Sequence, residues 1–553
     1  MKQPVIAIGL DAADPNLLET WMSQGYLQNL KRLREQGAYG RLSNIDYYKA
    51  ETPWTTFLTG CLPDKTGYWS PLKFWEGTYN VEQIEAYSFD EYAPFYDLGD
   101  QYRVATFDLP QSTLARDVNG VQVLAWGAHS PQTPSCSKPN ELLEALNERH
   151  GKHPALHKDH GDWWDQAYLH RLRQSLISGL KQRVNICRDL LQQDQWDLFL
   201  TIFGETHSAG HDLWFMSQSD HPLYEYGKGQ LGTEDPMLDV FDAADQAIGE
   251  ILDAAPEDAT VVVFAAHGSG SNITDVASML FLPEFLYRFS FPGKTMLAPG
   301  HKSATVPPVI TSPNTKSWTS DIWQRKHIAN PFERFLRKRL PTRYHRYIDR
   351  LGSFRAHRLI SPGQLQKRGV PLFWQPTLWY KLLWPHMKAF ALPSFSEGYI
   401  RVNLQGREPN GLVPPEEYDS LCDELIQQLN LIVNPRTGES VVKKVRRTRQ
   451  SAHDNDPKLP DADLVVEWTD MPADVIDHSQ FGRIGPVPYR RTGSHRSQGF
   501  LIMKGPDIAS GTTLPIGHGV DLAPTILDLM DAPIPDYFDG QSLVQPVLQK
   551  SGT

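Results

Sequence analysis

The chain has 553 residues, of which 40% are hydrophobic and 22% are charged, and its formal net charge is -11. Its length exceeds that of one ordinary domain, and its composition and mean hydropathy of -0.43 are typical of a globular protein rather than of a disordered or membrane-embedded one. The negative charge argues against a general nucleic-acid-binding protein, since binding to phosphate backbones depends on clustered Lys and Arg.

The N-terminus and the cysteines indicate the compartment. The chain runs from Met1 directly into the apolar stretch 5–10 without the features of a signal peptide, and it has no apolar run of about 18 residues or more. We therefore expect a cytoplasmic protein without a transmembrane segment. Its cysteines show no CxxC spacing and are expected to be reduced thiols: Cys61, Cys136, Cys187 and Cys422.

The first elements are predicted to be a strand, an acidic loop and a helix. The strand covers residues 5–10 and ends at Asp11. Apolar residues then recur at helical spacing from about residue 17 to 36, with Gly37 as a stop signal. Asp14 precedes Pro15 and is predicted to cap that helix.

The same alternation recurs further along the chain. A helical pattern near residues 176–193 precedes the apolar run 196–203, and another at 248–254 precedes 259–264. Short apolar strands alternating with helices predict an α/β fold with a mostly parallel central sheet and helices on both faces. Ligands in such folds lie beyond the carboxyl ends of the strands, so we expect the polar residues that follow these strands to converge on one site.

The alternation breaks from about residue 280 to 385. Residues 321–360 contain eleven Lys and Arg against three Asp and Glu, interleaved with aromatic residues. This basic segment is interpreted either as a cap or docking segment that attracts an anionic substrate, an acyl carrier or a membrane surface, or as an amphipathic helical insertion with a solvated basic face. We predict a first part of a catalytic core in 1–280, an inserted cap in 281–387 and a second part of the core in 388–553.

Two segments near the N-terminus carry groups suited to catalysis. Asp11 projects a carboxylate at the end of the first strand, where an aspartate is as often a helix cap as a metal ligand. The hydroxyl-rich segment 50–63 contains Glu51 and Thr52. A threonine hydroxyl becomes a competent nucleophile when a bound metal lowers its pKa, although threonine-rich strand edges are also common.

Three further segments contain histidine. Glu205, His207 and His211 directly follow a predicted buried strand, and the two histidines lie one helical turn apart. This nitrogen and oxygen set suits zinc, manganese or iron, with helix capping as the alternative. His267 follows another strand, and His495 lies late in the chain. Each of these two, taken alone, is more typical of a core or surface residue than of a ligand.

The five segments in this order resemble the alkaline-phosphatase superfamily, and in particular the type I phosphodiesterase / nucleotide pyrophosphatase-like proteins of the prokaryotic phosphohydrolase/phosphomutase branch. The resemblance extends to 398–409, 463–468, 493–499 and 521–527. It implies an alkaline-phosphatase-like core and two adjacent divalent ions, commonly zinc.

The resemblance also implies a role for each matched residue. One ion would be bound by Asp11, Thr52 and His267, and the other by the His207 and His211 cluster together with His495. Thr52 would be the nucleophile. Two cations in this arrangement activate the attacking oxygen and stabilise charge on the phosphoryl oxygens.

Three departures from the family pattern bear on activity. Ala266 stands where the family has an aspartate before His-Gly, and His207 stands where the family has an aspartate four residues before the histidine. The segment between the nucleophile and Trp54 is shorter than is usual in the family. Either Thr52 or Glu51 can therefore occupy the nucleophile or ligand position. Glu51 and Glu205 are candidates to supply the missing carboxylates. The pattern is compatible with either one or two metal ions per chain.

The expected function is that of a metal-dependent hydrolase of phosphate monoesters or diesters. The expected substrate is a small anionic compound, either phosphorylated or carrier-bound. The alternatives are a phosphomutase, a diverged metalloenzyme with non-hydrolytic chemistry, and a non-catalytic binding protein on the same fold. Oligomeric state is left open.

Overall fold

The structure is a computed structural model that describes residues 3–128, 133–298, 305–328, 330–341, 344, 345, 347, 348 and 358–544. It contains two compact units, one formed by Met1–Pro71, Ile84–Asn272 and Arg491–Thr553 and the other by Leu72–Gln83 and Ile273–Arg490. The predicted division at 280/281 and 387/388, which follows the break in the strand–helix alternation, stays a prediction. Residues 388–490, which that division assigns to the core, lie in the second unit.

The secondary structure alternates through most of the chain. The strands of the described residues are β1 Val5–Leu10, β2 Ala38–Ser43, β3 Leu72–Trp75, β4 Asn80–Gln83, β5 Gly99–Leu109, β6 Val118–Leu124, β7 Cys136–Lys138, β8 Leu198–Phe203, β9 Thr260–Ala265, β10 Gly268–Ser271, β11 Ala389–Leu392, β12 Gly398–Val402, β13 Val442–Arg447, β14 Leu464–Trp468, β15 Gly493–Arg496, β16 Gly499–Lys504, β17 Thr512–Thr513 and β18 Gly517–His518.

The α-helices of the same residues are α1 Pro15–Ser23, α2 Gln28–Gln36, α3 Pro53–Thr59, α4 Pro63–Thr66, α5 Leu142–His150, α6 Gln166–Gln193, α7 Glu205–Asp212, α8 Trp214–Ser217, α9 Tyr224–Gly227, α10 Pro236–Leu252, α11 Leu282–Ser290, α12 Trp318–Gln324, α13 Pro331–Arg339, α14 Pro362–Lys367, α15 Tyr418–Leu429 and α16 Leu522–Leu529. A π-helical turn covers Ala277–Phe281, and 3-10 turns cover Pro376–His386, Pro415–Glu417 and Gly519–Asp521.

The first unit is built on a ten-stranded sheet with the order β17-β2-β16-β9-β1-β8-β5-β6-β7, in which β18 also pairs with β2. β1 runs parallel to β8 and β9, and β5 runs parallel to β8 and β6. β16 runs antiparallel to both β9 and β2. Every residue of β1 and β8 is buried, as expected of central parallel strands that are covered on both faces. The predicted α/β fold with a mostly parallel central sheet is confirmed.

The predicted helix from about residue 17 to 36 is wrong as a single element. The chain forms α1 and α2, separated by Gly25 with φ +95° and Leu27 with φ +52°. Both angles lie in the left-handed region, which interrupts a right-handed helix. The start of α1 is as predicted: Asp14 accepts a hydrogen bond from a backbone N–H in the first turn at 3.0 Å, and Pro15 occupies the first helical position.

The hydrophobic core of this unit fixes α3 against the sheet. The rings of Phe57 on α3 and Phe264 on β9 lie 4.8 Å apart between centroids, and both side chains are buried. Burying an apolar side chain of this size contributes about 1.5–3 kcal/mol to folding. Buried residues of α16 complete the same cluster. The segment that precedes α3, with Glu51 and Thr52, is thereby held in place.

The second unit contains a four-stranded antiparallel sheet with the order β11-β12-β14-β13 and a separate β3–β4 hairpin. Its basic segment includes α13, in which no residue is buried. Phe332 and Phe335 on this helix are 68% and 54% exposed. The helix α13 is amphipathic, as predicted for this segment. A role of the basic segment in capping or docking stays a prediction. Among the described residues, no helix combines the length and apolar character that a membrane crossing needs.

Candidate functional site

Three neighbouring strands of the first unit end at the candidate site. Asp11 follows β1, α7 begins after β8, and His267 lies between β9 and β10. The register pairs Leu10 with Phe203 and Gly9 with Phe264, so the three carboxyl ends lie level with one another. The predicted convergence of the polar residues after these strands is therefore present in the structure.

Asp11 lies at the centre of the cluster. Its Oδ2 is 2.9 Å from His207 Nδ1, and its Oδ1 is 3.1 Å from His267 Nε2. The indole Nε1–H of Trp54 donates to the same Oδ1 at 3.2 Å. Burial disfavours the charged carboxylate, but the charges and hydrogen bonds of His207 and His267 outweigh it and hold the pKa of Asp11 well below its usual value. Asp11 is thus a buried, ionised acceptor.

Three histidines form a compact, buried group beside Asp11. His207 and His211 lie one turn apart on α7 with ring centroids separated by 4.5 Å, and the ring of His495 lies 4.9 Å from each of them. One nitrogen from each ring lies within 4.8 Å of the other two, which is compatible with a shared metal ion. Sequence analysis had placed these three histidines at one ion.

The backbone of β15 fixes two of these rings. The carbonyl oxygen of Gly493 lies 2.7 Å from His211 Nδ1, and His495 pairs with Ser269 across the β10–β15 ladder. A Cβ atom at residue 493 would lie 1.8 Å from the carbonyl oxygen of Gly210, so only glycine permits this approach of β15 to α7. The ladder therefore sets the position of His495 relative to α7.

His495 also contacts His267, with the two Nδ1 atoms 3.3 Å apart. Burial, and then the neighbouring His267 and His207, lower the pKa of His495 well below its ordinary value, although Asp11 opposes the shift. His495 is therefore a neutral imidazole with a lone pair on one nitrogen at physiological pH.

The donor set fits a divalent transition metal. Three neutral imidazoles are the ligands of a typical open zinc site, which leaves a fourth position for water or substrate. The second metal position of the family lacks one ligand, because Ala266 stands where the family has an aspartate and its methyl group carries no lone pair. The residues present therefore fit one ion at His207, His211 and His495. The metal identity is not fixed by this set.

Thr52 and Glu51 lie at the start of α3. Thr52 is buried, and its Oγ1 donates to the carbonyl oxygen of Tyr48 at 2.9 Å. Two residues further on, Trp54 contacts Asp11, which places this helix start beside the cluster. Glu51 is fully buried, and its Oε2 accepts the backbone N–H of Ala50 at 3.2 Å. The nucleophilic role of Thr52 and a ligand role for Glu51 stay predictions.

Glu205 takes part in a separate buried ion-pair network. Its Oε1 lies 3.1 Å from Nε of Arg183 and 3.2 Å from Nε2 of His153. Burial alone would raise the pKa of Glu205, but Arg183 and His153 lower it to about 2. The other end of Arg183 binds Asp108 at 2.5 Å. This pairing gives no support to Glu205 as a metal ligand.

Sequence reasoning missed Arg183, His153 and Asp108. Arg183 lies within the apolar face of α6 and has no motif around it. Asp108 had a usable signal, since it lies near the end of β5 and an acid in that position often faces the functional edge of a parallel sheet. Trp54 was noted only for its spacing, and its contact with Asp11 was not anticipated.

An α/β core with a cluster of imidazoles and a carboxylate at the ends of parallel strands agrees with the resemblance to the alkaline-phosphatase superfamily drawn from the sequence. The model of the family described as type I phosphodiesterase / nucleotide pyrophosphatase matches residues 5–287, just over half of the chain. The chain belongs to this family of metal-dependent phosphohydrolases. No match was found among curated proteins.

Solved structures with a similar fold include phosphonoacetate hydrolase from Sinorhizobium meliloti with bound phosphonoformate, which is 14% identical over 96% of both chains with a TM-score of 0.43. Murine ectonucleotide pyrophosphatase / phosphodiesterase 5, an inactive form of which was solved with AMP, is 10% identical over 99% of this chain and 100% of that one, with a TM-score of 0.47. The alkaline phosphatase PafA is 12% identical over 99% of both chains with a TM-score of 0.49. None of these similarities assigns a substrate to this chain.

Proposed function

We propose that this protein is a metal-dependent hydrolase of phosphate monoesters or diesters, with its ion bound by His207, His211 and His495 and with Thr52 as nucleophile. The observation that carries the proposal is the convergence of these three buried imidazoles beside the ionised Asp11, in a chain of the phosphodiesterase family. Zinc is the proposed metal, with manganese or iron as alternatives.

The charge of the cluster supports an anionic substrate. Asp11 contributes a single negative charge to the cluster, so a bound divalent cation would outweigh it. A phosphate ester would be attracted to such a site, and a small or carrier-bound phosphorylated compound acting in the cytoplasm is the proposed substrate.

The chemistry would proceed in two displacements at phosphorus. A bound divalent cation lowers the pKa of a nearby hydroxyl and stabilises charge on phosphoryl oxygens. Thr52 Oγ1 leaves its hydrogen bond to the Tyr48 carbonyl, loses its proton and forms a bond to phosphorus while the ester P–O bond breaks and the alcohol departs with a proton. Water then attacks phosphorus and the bond to Thr52 Oγ1 breaks, which regenerates the hydroxyl and releases phosphate from a monoester substrate or a phosphate monoester from a diester.

The test combines metal analysis with turnover of bis(4-nitrophenyl) phosphate and 4-nitrophenyl phosphate. Thr52→Ala should lower kcat by roughly 100-fold or more, since it removes the atom that forms the covalent bond. Thr59→Ala is the matched control, because Thr59 on α3 also donates its hydroxyl to the carbonyl four residues earlier, at 2.7 Å. Full turnover in Thr52→Ala would contradict the assignment of the nucleophile.

Two outcomes would select the alternative functions. Transfer of the phosphoryl group from a trapped phosphothreonine to a second alcohol would identify a phosphomutase. Protein that neither binds metal nor turns over any phosphate ester would favour a non-catalytic binding role on the same fold.

A further inference from the structure

We infer that helix α13 of the second unit binds the surface of anionic membranes. Its two phenylalanines enter the lipid, and the cations beside them contact lipid phosphates. This surface belongs to a different unit from the histidine cluster, so it is independent of the proposed hydrolysis.

The two phenylalanines of α13 face solvent. Phe332 and Phe335 lie three positions apart, on one side of the helix, and are 68% and 54% exposed. A surface helix of a globular protein ordinarily turns its apolar residues toward the core. None of the nine residues of α13 is buried, so its rings do not anchor it in that way.

The ion pair of α13 lies on a less exposed side of the helix. Nη2 of Arg337 lies 2.9 Å from Oε1 of Glu333, and the two side chains are 9% and 19% exposed. Glu333 is the one acidic residue of the helix. Its charge is therefore paired with an arginine and turned away from solvent. The helix exposes its aromatic rings and withdraws its acid.

Cations lie beside the exposed rings. Lys338 and Arg339 are both exposed, and they follow Phe335 by three and four positions, which places them on its side of the helix. The guanidinium carbon of Arg339 lies 5.3 Å from the centroid of the Phe335 ring, in cation–π contact. This side of α13 therefore combines two apolar rings with positive charge.

An anionic lipid surface complements both kinds of group. Interfacial helices place aromatic side chains at the boundary of headgroups and acyl chains, and their Lys and Arg are attracted to anionic lipids. The whole chain would be repelled, since its formal net charge is -11, but residues 321–360 carry eleven Lys and Arg against three Asp and Glu. An acidic polymer would bind the cations and leave the phenylalanines in water, so a lipid surface fits better.

Vesicle flotation with the full-length protein tests the inference. Vesicles of phosphatidylcholine alone are compared with vesicles that also contain phosphatidylserine. We expect binding to the second kind only, and weaker binding at higher ionic strength, because salt screens exposed charges. No binding to the phosphatidylserine vesicles, or equal binding to both kinds, would overturn the inference and leave the proposed function standing.

A double variant tests the aromatic rings. Phe332→Gln with Phe335→Gln should weaken binding by roughly tenfold or more, because two apolar rings no longer leave water. Leu382→Gln with Ile516→Gln is the matched control, since these residues are 56% and 79% exposed elsewhere in the chain. The control should bind as the unmodified protein does. An equal loss in both double variants would contradict α13 as the binding surface.

A second double variant tests the cations. Lys338→Gln with Arg339→Gln should weaken binding by about 25-fold, from a factor of about five for each charge near the membrane. Lys443→Gln with Lys444→Gln removes two exposed cations of β13 and should leave the affinity unchanged. Binding that needs the cations of α13 but not its phenylalanines would indicate a purely electrostatic contact, as with an acidic polymer, and would overturn the inference.

Two further measurements locate the contact and test self-association. Phosphatidylserine vesicles should slow hydrogen exchange in peptides that cover α13, and protection confined to other segments would overturn the inference. Analytical ultracentrifugation without vesicles should give the same mass for the unmodified protein and the phenylalanine variant. A dimer that this variant dissociates would show that a second copy of the chain covers the rings, which would also overturn the inference.

Discussion

Replacing Arg183 by methionine should loosen α7, the helix that carries His207 and His211, two of the proposed metal ligands. The guanidinium of Arg183 is fully buried between Asp108 and Glu205, at 2.5 and 3.1 Å. Burial disfavours its charged form, but the two carboxylates more than compensate and raise the pKa of Arg183. Arg183→Met would leave both carboxylates buried without their cation.

The expected loss of stability is about 3–5 kcal/mol, the range for removing one partner of a buried ion pair. Arg173 provides a matched control on the same helix, since it pairs with Asp239 at 2.6 Å but the two side chains are 22% and 30% exposed. Arg173→Met should cost no more than about 1 kcal/mol, because solvent screens a partly exposed pair.

Native-state hydrogen exchange followed by mass spectrometry measures this difference where it arises. Peptides that cover α6 and α7 should exchange more than about 100-fold faster in Arg183→Met, since each tenfold corresponds to about 1.36 kcal/mol. Equal exchange in the two variants would refute the view that the ion pair stabilises α7. A triple variant that also carries Asp108→Asn and Glu205→Gln should recover part of the loss, because the uncompensated charges are then gone.

Three further perturbations test other contacts. A Cβ atom added at Gly493 would lie 1.8 Å from the carbonyl oxygen of Gly210, so Gly493→Ala would force β15 away from α7. We expect this variant to lose about 1–3 kcal/mol of stability in thermal unfolding and to bind Zn²⁺ more weakly. An unchanged melting temperature would contradict the close approach. Asp245 accepts two backbone N–H groups at the start of α2, at 3.0 and 2.7 Å, so Asp245→Ala should destabilise α2 by about 1–2 kcal/mol, seen as faster exchange in that helix alone. Burial opposes ionisation of Asp463, but Arg407 and the neighbouring arginines lower the pKa of Asp463 below its ordinary value. The ionised Asp463 therefore stabilises the fold above its unfolded pKa of about 3.9, and this stabilisation is lost as the pH falls further. The acid-induced fall in melting temperature should be smaller in Arg407→Gln, and an identical pH profile would argue against the coupling.

The central sheet and its polar edge were predictable because their signals are local. An apolar run followed by acids or histidines can be recognised wherever it occurs in a sequence. Asp11 directly follows β1, His207 lies four residues after the end of β8, and His267 lies two residues after the end of β9. Parallel strands then require that these ends meet at one edge. His495 lacked this local signal and was found through the family resemblance.

The parts that sequence reasoning missed depend on contacts between distant residues. The ion pair of Arg183 and Glu205 joins the middle of α6 to the start of α7, and neither residue has a motif that announces the other. The break between α1 and α2 was missed for the opposite reason. The helical spacing of apolar residues continues through the turn, and only the single Gly25 marks it.

The pairing of β10 with β15 has a consequence for how this protein can change over evolution. The chain leaves the first unit at Asn272 and re-enters at Arg491, and the N–H of Asn272 donates to the carbonyl of Thr492 at 2.9 Å. The intervening residues 273–490 therefore start and finish at adjacent points. Insertions, deletions and exchanges within them need not disturb the β10–β15 ladder that positions His495.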